Sequence, residues 1–562
     1  MPLRALLVAA ALLAPAPAPA QSIAGPYLAA RIAGFSNDYE AAAREYARLL
    51  RRDNVPGAVL ENAVIVFGAL GRFDDASEAA KRMTLAGTPS RFGSGVQAVA
   101  ALVAEDYDTA TRLLDEEAGV GGALLDGLLR GWIQAAEGDV DAGLAALEAL
   151  GETENFASIA RYHRALVLAW SGDPLAADEI LSGRADGALD LNARGVEAHA
   201  QILVELGRRD DALELLRKTN ALINNSALRT LEDRVERDDP VRFDMIESAR
   251  DGLAESFFTI AAILAGETSP TFTLLNAQAA VALDPEHVDA LVLVASLLEE
   301  QEQYALADDT LQRVPADDPA FDAAEIARAE VLLASDREDA AVEVLSGITR
   351  KNPEDFDAWT ALGDTLRRLE RYGRSAEAYT RAIDLRPEIV ERDWFLFYAR
   401  AIARERQGRF DLAEPDFRRA LELDSDNPLV LNYLGYSLVE ERMHLDEALD
   451  MIERAVAARP EDGFITDSLG WVLYRLGRFE EAVEPMERAA ELLPLDPLVN
   501  DHLGDVYWVV GREREARFQW RRALSLEPEE DVIDRIRDKL EVGLDVVLLR
   551  EAEAGEADAA AE

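Results

Sequence analysis

Apolar and small residues recur at a fixed spacing along the C-terminal half of the chain. The spacing is clearest from Gly463 to Pro528, where two similar stretches follow each other. Each stretch divides at a glycine into two segments whose apolar residues recur with helical periodicity. The pattern therefore predicts a repeated helix–turn–helix unit of 34 residues, with matched pairs at Leu469/Leu503, Gly470/Gly504, Gly477/Gly511, Ala482/Ala516, Ala489/Ala523 and Pro494/Pro528.

The small residues have mechanical roles in such a unit. We expect Gly470 and Ala482 where the first and second helices cross, because no bulky side chain fits between close backbones. Gly477 ends the first helix in a left-handed conformation, and Pro494 ends the second. One hairpin cannot bury its apolar faces alone, so neighbouring hairpins must stack into an α-solenoid.

The same register extends backwards through the C-terminal half. Two intervals between the starts of successive first helices are longer than 34 residues. We expect loop insertions in them, around Ile389 to Arg392 and near His444. The first helices are predicted to begin near Ala254, Val288, Asp322, Phe356, Trp394, Pro428, Gly463 and Pro497.

The N-terminal half carries a weaker version of this pattern. An aromatic residue is followed three positions later by alanine at Tyr39, Phe73 and Tyr107. A charged run between residues 226 and 253 leaves the register and predicts a helical junction. The predicted organisation is a signal peptide at 1–20, degenerate hairpins at 21–225, the junction at 226–253, a regular solenoid at 254–530, a capping helix at 531–550 and a disordered acidic tail at 551–562.

The charge balance narrows the class of partner. The chain has 58 Lys+Arg against 107 Asp+Glu, a net charge of −49. Such a balance repels nucleic-acid phosphates and anionic lipid surfaces, so we expect no nucleic-acid partner. A basic or neutral polypeptide fits better, although solvated helix faces would give the same balance.

The first twenty residues resemble a secretory signal. Arg4 precedes the apolar run Ala5–Ala14, and Ala18-Pro19-Ala20 resembles a cleavage site. The run is too short to span a bilayer, and no later stretch is long enough, so we expect no transmembrane segment in the mature chain. We expect a periplasmic protein beginning at Gln21, with a retained N-terminal anchor as the alternative. The absence of cysteine excludes disulfides and thiolate metal sites.

No catalytic constellation is found in the sequence. The five histidines occur singly, without the spacing of a zinc-protease motif. His502 stands near Asp501 and Asp505, which we interpret as a structural pair rather than a metal site. Repeats fill nearly the whole chain, so we expect a non-catalytic protein without cofactor or metal. An enzyme with an unrecognised site is the alternative from a different class.

Helix geometry separates a stripe of aromatic residues from the packing stripe. At 100° per residue, positions 4, 7, 8 and 11 of a first helix share one face, while positions 2, 5, 9 and 12 share another. Tyr507 and Trp520 fall on the packing face, and we expect them in the core. The second stripe also holds Asp467, Asp501 and Asp505, so an apolar partner with nearby basic residues would suit it. This aromatic stripe consists of Phe395, Tyr398, Tyr436, Phe464, Trp471, Tyr474 and Trp508.

The 34-residue period and the positions of the small residues resemble those of the tetratricopeptide repeat. The resemblance is closest from Phe356 to Pro528. The resemblance implies an all-α fold, an α-solenoid of helix-turn-helix hairpins that forms a right-handed superhelix. In this superfamily the aromatic stripe would line the concave face, where partner polypeptides bind. Packing against the next hairpin or the capping helix is the alternative for these aromatic residues.

The runs DSLGWVLYRLGRFEEAVE and NDHLGDVYWVVGREREARFQW show a more particular resemblance. They are similar to the last repeats of proteobacterial envelope proteins, including lipoprotein adaptors of a carboxy-terminal processing protease. The resemblance implies a scaffold or adaptor of the cell envelope, with an envelope protease and its substrates as partners. The lipid-attachment cysteine of those adaptors is missing here. An accessory subunit of cell-surface polysaccharide export or envelope assembly is the alternative.

Overall fold

The computed structural model describes residues 24–116, 119–185, 187–223, 225–267 and 269–559. The predicted signal peptide lies outside these residues. Within them the regular structure consists of 31 α-helices and two short 3-10 helices, with no strand. The predicted all-α solenoid of stacked hairpins is therefore confirmed.

By its internal contacts the chain divides into unit 1, which ends at Ile348, and unit 2, which begins at Thr349. The division falls inside a helix and well beyond the predicted junction at 226–253. Unit 1 contains α1 (Ala24–Phe35), α2 (Tyr39–Leu50), α3 (Gly57–Ala69), α4 (Phe73–Leu85), α5 (Arg91–Val103), α6 (Tyr107–Leu114), α7 (Ala123–Ala136), α8 (Val140–Gly151), α9 (Ala157–Trp170), α10 (Pro174–Leu181), α11 (Ala193–Glu205), α12 (Arg209–Asn220), α13 (Ser226–Glu236), α14 (Ala249–Leu264), α15 (Pro270–Leu283), α16 (Val288–Glu299), α17 (Tyr304–Leu311), α18 (Phe321–Ala334) and most of α19 (Glu338–Lys351).

The chain folds back on itself within unit 1. Helix α14 packs against α7 and α9, and α15 packs against α3 and α5, although these helices are far apart in sequence. Gly252 permits a close approach, because a Cβ there would lie 2.3 Å from the ring of Trp132 on α7. Gln278 on α15 donates to the carbonyl of Ala69 at 3.1 Å. Residues 226–253 therefore form α13, an irregular segment and the start of a helix in the unit 1 core, which differs from the predicted junction.

Unit 2 is a regular array of hairpins. Its first helices begin where the repeat register places them, and each packs on the second helix that follows it. The predicted insertion before Trp394 holds a 3-10 turn, Glu391–Asp393, and His444 has a left-handed φ of +48°. The helices are α20 (Phe356–Arg368), α21 (Tyr372–Asp384), α22 (Trp394–Glu405), α23 (Phe410–Leu423), α24 (Pro428–Glu440), α25 (Leu445–Ala458), α26 (Gly463–Arg475), α27 (Phe479–Leu492), α28 (Pro497–Val509), α29 (Glu513–Ser525), α30 (Glu530–Val542) and α31 (Leu544–Ala559).

Glycine at the helix crossing makes room for a large side chain of the second helix. A Cβ at Gly470 would lie 2.5 Å from Cγ of Met486, and a Cβ at Gly504 would lie 2.4 Å from the ring of Trp520. Trp520 is fully buried as a result, and Tyr507 is buried beside it, as predicted from the packing face. The repeated glycine therefore reflects close helix approach and not backbone flexibility.

Replacing Gly470 with leucine should lower the free energy of unfolding of unit 2. Overpacking of a filled core costs about 1–3 kcal/mol, because Met486 and the backbone must move. Gly373 is a control site with space for a methyl group, because a Cβ there would lie 3.7 Å from its nearest neighbour, Oε1 of Gln407. Urea unfolding followed by circular dichroism should show the loss for Gly470→Leu and little loss for Gly373→Ala. Equal midpoints for Gly470→Leu and the unmodified protein would contradict the packing.

The C-terminal end differs from the predicted single capping helix at 531–550. Gly543, with φ +89°, breaks it into α30 and α31. Helix α31 continues to Ala559, through most of the segment predicted as a disordered tail. Helix α30 packs on α29 and α31 on α30. Across the described residues, no helix combines the length and apolar character required to cross a membrane.

Candidate protein-binding stripe

The last member of the aromatic stripe is covered by the chain's own C-terminal helices. Trp508 donates from Nε1 to Asp545 on α31 at 2.7 Å, and its ring lies 5.3 Å from that of Trp520. A Cβ at Gly543 would lie 2.6 Å from the Trp508 ring. Trp508 is therefore half-buried against the chain's own C-terminal helices. For this residue the structure shows packing, the alternative to partner binding.

The acidic residues of the stripe also have partners within the chain. Lys539 on α30 is completely buried, and its Nζ lies 2.7 Å from Asp501 and 2.8 Å from Asp505. Asp467 pairs with Nδ1 of His502 at 3.0 Å. The basic groups expected from a partner are thus supplied at these three positions by the protein itself.

Trp471 and Tyr474 form a stacked cluster on α26. Their rings lie 4.9 Å apart, and Trp471 also stacks on His502 at 4.0 Å. Nε1 of Trp471 donates to Glu440 on α24 at 2.8 Å. Trp471 is only 8% exposed, whereas Tyr474 is half-buried. The structure thus brings these two predicted residues together, with Trp471 holding neighbouring first helices in contact.

The remaining four residues of the stripe differ in exposure. Tyr398 is half-buried among the rings of Trp394, Phe417 and Tyr433. Tyr436 is half-buried, and burial raises the pKa of its phenol. Phe464 is 59% exposed and Phe395 is 36% exposed. The uncovered apolar surface of the stripe therefore lies on Phe464 and Phe395.

The His502–Asp467 pair makes stability depend on pH. Burial alone would lower the pKa of His502, but the carboxylates around it, Asp467 above all and then Asp501 and Asp505, together outweigh burial and raise it. A raised folded-state pKa gives stabilisation that is complete below the unfolded value of about 6.5 and is lost as pH rises through the folded value. The pair is therefore strongest at mildly acidic pH.

We expect the melting temperature of the protein to decline through this pair as pH rises above about 6.5, the usual histidine pKa. Asp467→Asn should remove that part of the decline, because the amide cannot favour the imidazolium. Asp462→Asn, at the N-cap of the same helix, is the control for a charge lost outside the pair. Differential scanning calorimetry of each protein across the pH series measures the melting temperature. A decline of equal size in Asp467→Asn and the unmodified protein would refute this assignment.

Unit 1 contains a buried polar cluster that sequence reasoning did not identify. Glu255 on α14 is 2% exposed and accepts from Arg194 at 2.7 Å, from the Tyr162 hydroxyl at 3.0 Å and from His287 at 3.3 Å. Burial alone would raise the pKa of Glu255, but Arg194 and His287 hold it well below its usual value. The cluster thus joins α14 to α9, α11 and the residue that caps α16.

The buried histidines serve structural contacts. Nε1 of Trp132 donates to Nδ1 of His163 at 3.0 Å, so Nε2 of His163 carries the proton that reaches Thr259 at 3.2 Å. Burial lowers the pKa of His163 to about 4, which keeps the ring neutral. Among the described residues, no group of three His, Asp or Glu side chains is arranged to hold a metal ion. The histidines occur singly in the sequence, and this pattern is the sequence signal for structural rather than metal-binding histidines.

Comparison with known proteins shows similarity to repeat proteins. Segments 326–388, 398–463 and 441–497 match the sequence model of the tetratricopeptide repeat. A TPR repeat-containing protein of Pseudomonas aeruginosa is 29% identical over 184 residues, which are 32% of this chain and 30% of that protein. The matched segment thus spans less than two thirds of that relative's length. Such repeats indicate a protein–protein interaction scaffold.

Two further proteins are similar to parts or most of the chain. The UDP-N-acetylglucosamine–peptide N-acetylglucosaminyltransferase of Giardia intestinalis is 31% identical over 122 residues, 22% of this chain and 8% of that enzyme. Among solved structures, the APC/C hetero-tetramer Cut9–Hcn1 contains a chain that is 17% identical with a TM-score of 0.39, over 93% of this chain and 97% of that chain.

Proposed function

We propose that the protein is a non-catalytic scaffold that binds partner polypeptides through the exposed part of the aromatic stripe. The observation that carries the proposal is the exposure of Phe464 and Phe395 on the first helices of unit 2. Uncovered aromatic side chains on a row of contacting helices are typical of a protein interface. Tyr474 and Tyr436, which are half-buried, would extend the contact.

The chemistry of the stripe favours an apolar segment of the partner. Asp467, Asp501 and Asp505 are already paired within the chain, so they leave little free negative charge. Glu440 is the more accessible acid, because its side chain is 45% exposed where it accepts from Trp471 and Arg475. A partner with an apolar anchor beside one donor group therefore fits better than a strongly basic peptide.

As the finer part of the proposal, we place this scaffold in the bacterial cell envelope as an adaptor of a carboxy-terminal processing protease. The resemblance of the last repeats to such adaptors supports this role, as does the predicted signal peptide at 1–20. Affinity capture from an envelope extract tests it. Recovery of a protease with cell-wall hydrolases supports the adaptor, whereas recovery of export machinery favours the accessory-subunit alternative.

Phe464→Ser combined with Phe395→Ser should lower capture of the partner about thirtyfold or more, since truncation of an aromatic anchor costs about 2 kcal/mol or more. The control is Phe518→Ser on the second helix α29, because Phe518 is 60% exposed and Phe464 is 59% exposed. Circular dichroism should show all variants folded. Equal capture by the double variant and the Phe518→Ser control would exclude the stripe as the binding surface.

A further inference from the structure

Unit 1 contains an apolar cavity between the helices that fold back and the hairpins they cover. Its volume is about 260 Å³, and its walls come from α4, α5, α14, α15 and the loop that precedes α7. Phe92 and Phe272 meet edge to face, with ring centroids 5.9 Å apart, where α5 and α15 approach each other. The apolar lining is Phe73, Phe92, Val96, Val99, Leu125, Phe257, Phe272, Leu275 and Ala279.

Two polar side chains also line the cavity. Asn276 is 5% exposed and donates one amide N–H to the carbonyl of Phe272 at 2.9 Å. Within the described part of the chain, its second N–H and its Oδ1 have no hydrogen-bond partner. Arg91, at the start of α5, is exposed and has no carboxylate or carbonyl partner among the described residues.

Arg91 lies against the residues that directly precede α7. A Cβ at Gly122 would lie 3.4 Å from Nη2 of Arg91, so the guanidinium rests against the loop. The Asp126 carboxylate accepts from the backbone amides of Val120 and Gly121 at 3.2 and 2.8 Å. Residues 119–122 thus lie beside an exposed guanidinium at the edge of an apolar cavity, and none of the described residues of this loop carries a carboxylate that pairs with it.

These features specify the chemistry of a ligand. The predominantly apolar walls favour an apolar body, because each CH2 group that leaves water for such walls contributes about 0.8 kcal/mol. A free guanidinium at its edge favours a carboxylate, which it can bind with two parallel hydrogen bonds. Asn276 offers a further hydrogen bond to an oxygen of the ligand. We propose that this cavity binds a fatty-acid-like carboxylate, with the chain inside and the carboxylate on Arg91.

Titration calorimetry of the intact protein with octanoate, decanoate, decanol and decyltrimethylammonium tests the proposal. Decanoate should bind most tightly among the C10 compounds, because it alone matches both cavity and cation. Each added CH2 should raise affinity about fourfold until the cavity is full. Arg91→Ala should weaken decanoate about tenfold or more and leave decanol unchanged. Arg44→Ala, an exposed arginine on α2, is the control and should change neither.

A pair of variants at one position tests the cavity itself. Gly95 lines it, and a Cβ there would meet only the carbonyl of Val120, at 3.4 Å. Gly95→Ala should retain decanoate binding, whereas Gly95→Leu should abolish it with helical content unchanged. If Gly95→Leu does not fold, the proposal is decided by the affinities of decanoate, decanol and decyltrimethylammonium for the unmodified protein and for Arg91→Ala.

Three results would overturn the proposal. They are no decanoate binding, equal decanoate affinity in Arg91→Ala, and tighter binding of a short peptide whose apolar last residue carries the free carboxylate. The last result would assign the cavity to a partner's C-terminus. The proposal is supported if decanoate binds most tightly and its affinity falls in Arg91→Ala.

Discussion

Replacing Glu255 with glutamine is expected to lower the free energy of unfolding of unit 1 by about 3–5 kcal/mol, the cost of breaking a buried ion pair. The substitution keeps the size of the side chain but removes its charge. Arg194, whose side chain is 16% exposed, would then lose its bidentate partner and retain only Asp289. Tyr162 and His287 would lose a charged acceptor at the same time.

Hydrogen exchange measured by mass spectrometry gives the local readout, because opening of α14 should expose its amides before global unfolding. Glu40→Gln is the control, since Glu40 and Arg44 form an exposed pair at 3.8 Å. An exposed pair contributes about 0–1 kcal/mol, so α14 should remain protected in that variant. Unchanged protection of α14 in Glu255→Gln would contradict the role of the cluster.

Acid should act in the same direction as Glu255→Gln. The pKa of Glu255 lies well below its usual value, so its stabilisation is complete above the unfolded value of about 4.3. It is lost as pH falls through the folded value. Protection of α14 should therefore decrease at strongly acidic pH in the unmodified protein, and less so in Glu255→Gln.

Local pattern was sufficient to predict the helices of the repeats in unit 2, from α20 to α29. The crossing glycine, the terminating glycine and the inter-repeat proline act within one hairpin, so their spacing in sequence determines where helices begin and end. The same reasoning predicted burial of Trp520, which fills the space left by Gly504. The fold of each hairpin is therefore encoded over about 34 residues, the period of this repeat class.

Contacts between distant segments could not be predicted in this way. The return of α14 onto α7 depends on Gly252 and Trp132, which are separated by several hairpins and lie outside the regular register. Periodicity also shows which face a side chain occupies but not what covers that face. Trp508 lies on the predicted stripe, yet its partner Asp545 comes from a C-terminal helix without a repeat signature. Phe464, on the same stripe, has no such cover.

A buried lysine lies at the contact between the last repeat and the C-terminal helices. Only four lysines occur in the chain, and Lys539 is the one that is completely buried. Its Nζ donates to both Asp501 and Asp505, and Nε1 of Trp520 donates to the same Asp505 at 2.9 Å. A charge of either sign buried here without the other would be costly, so α30 and the last repeat depend on each other.

Lys539→Met should therefore lower the free energy of unfolding of the C-terminal end of unit 2 by about 3–5 kcal/mol, because it leaves two carboxylates buried without their cation. Arg535 lies 3.6 Å from Asp505 and can compensate in part, which places the expected cost near the lower value. We expect α30 and α31 to lose hydrogen-exchange protection first, and the Trp508 ring to become exposed to solvent.

The double variant Lys539→Met with Asp505→Asn separates charge from packing. Asparagine removes one unpaired charge and can still accept from Trp520, so part of the protection of α30 should return. Lys218→Met, at an exposed lysine of unit 1, is the control for loss of a lysine and should leave α30 unchanged. If the α30 amides are as well protected from hydrogen exchange in Lys539→Met as in Lys218→Met, the buried lysine does not hold this helix. If Lys539→Met loses protection and Asp505→Asn restores none, loss of the side chain's packing outweighs the charge.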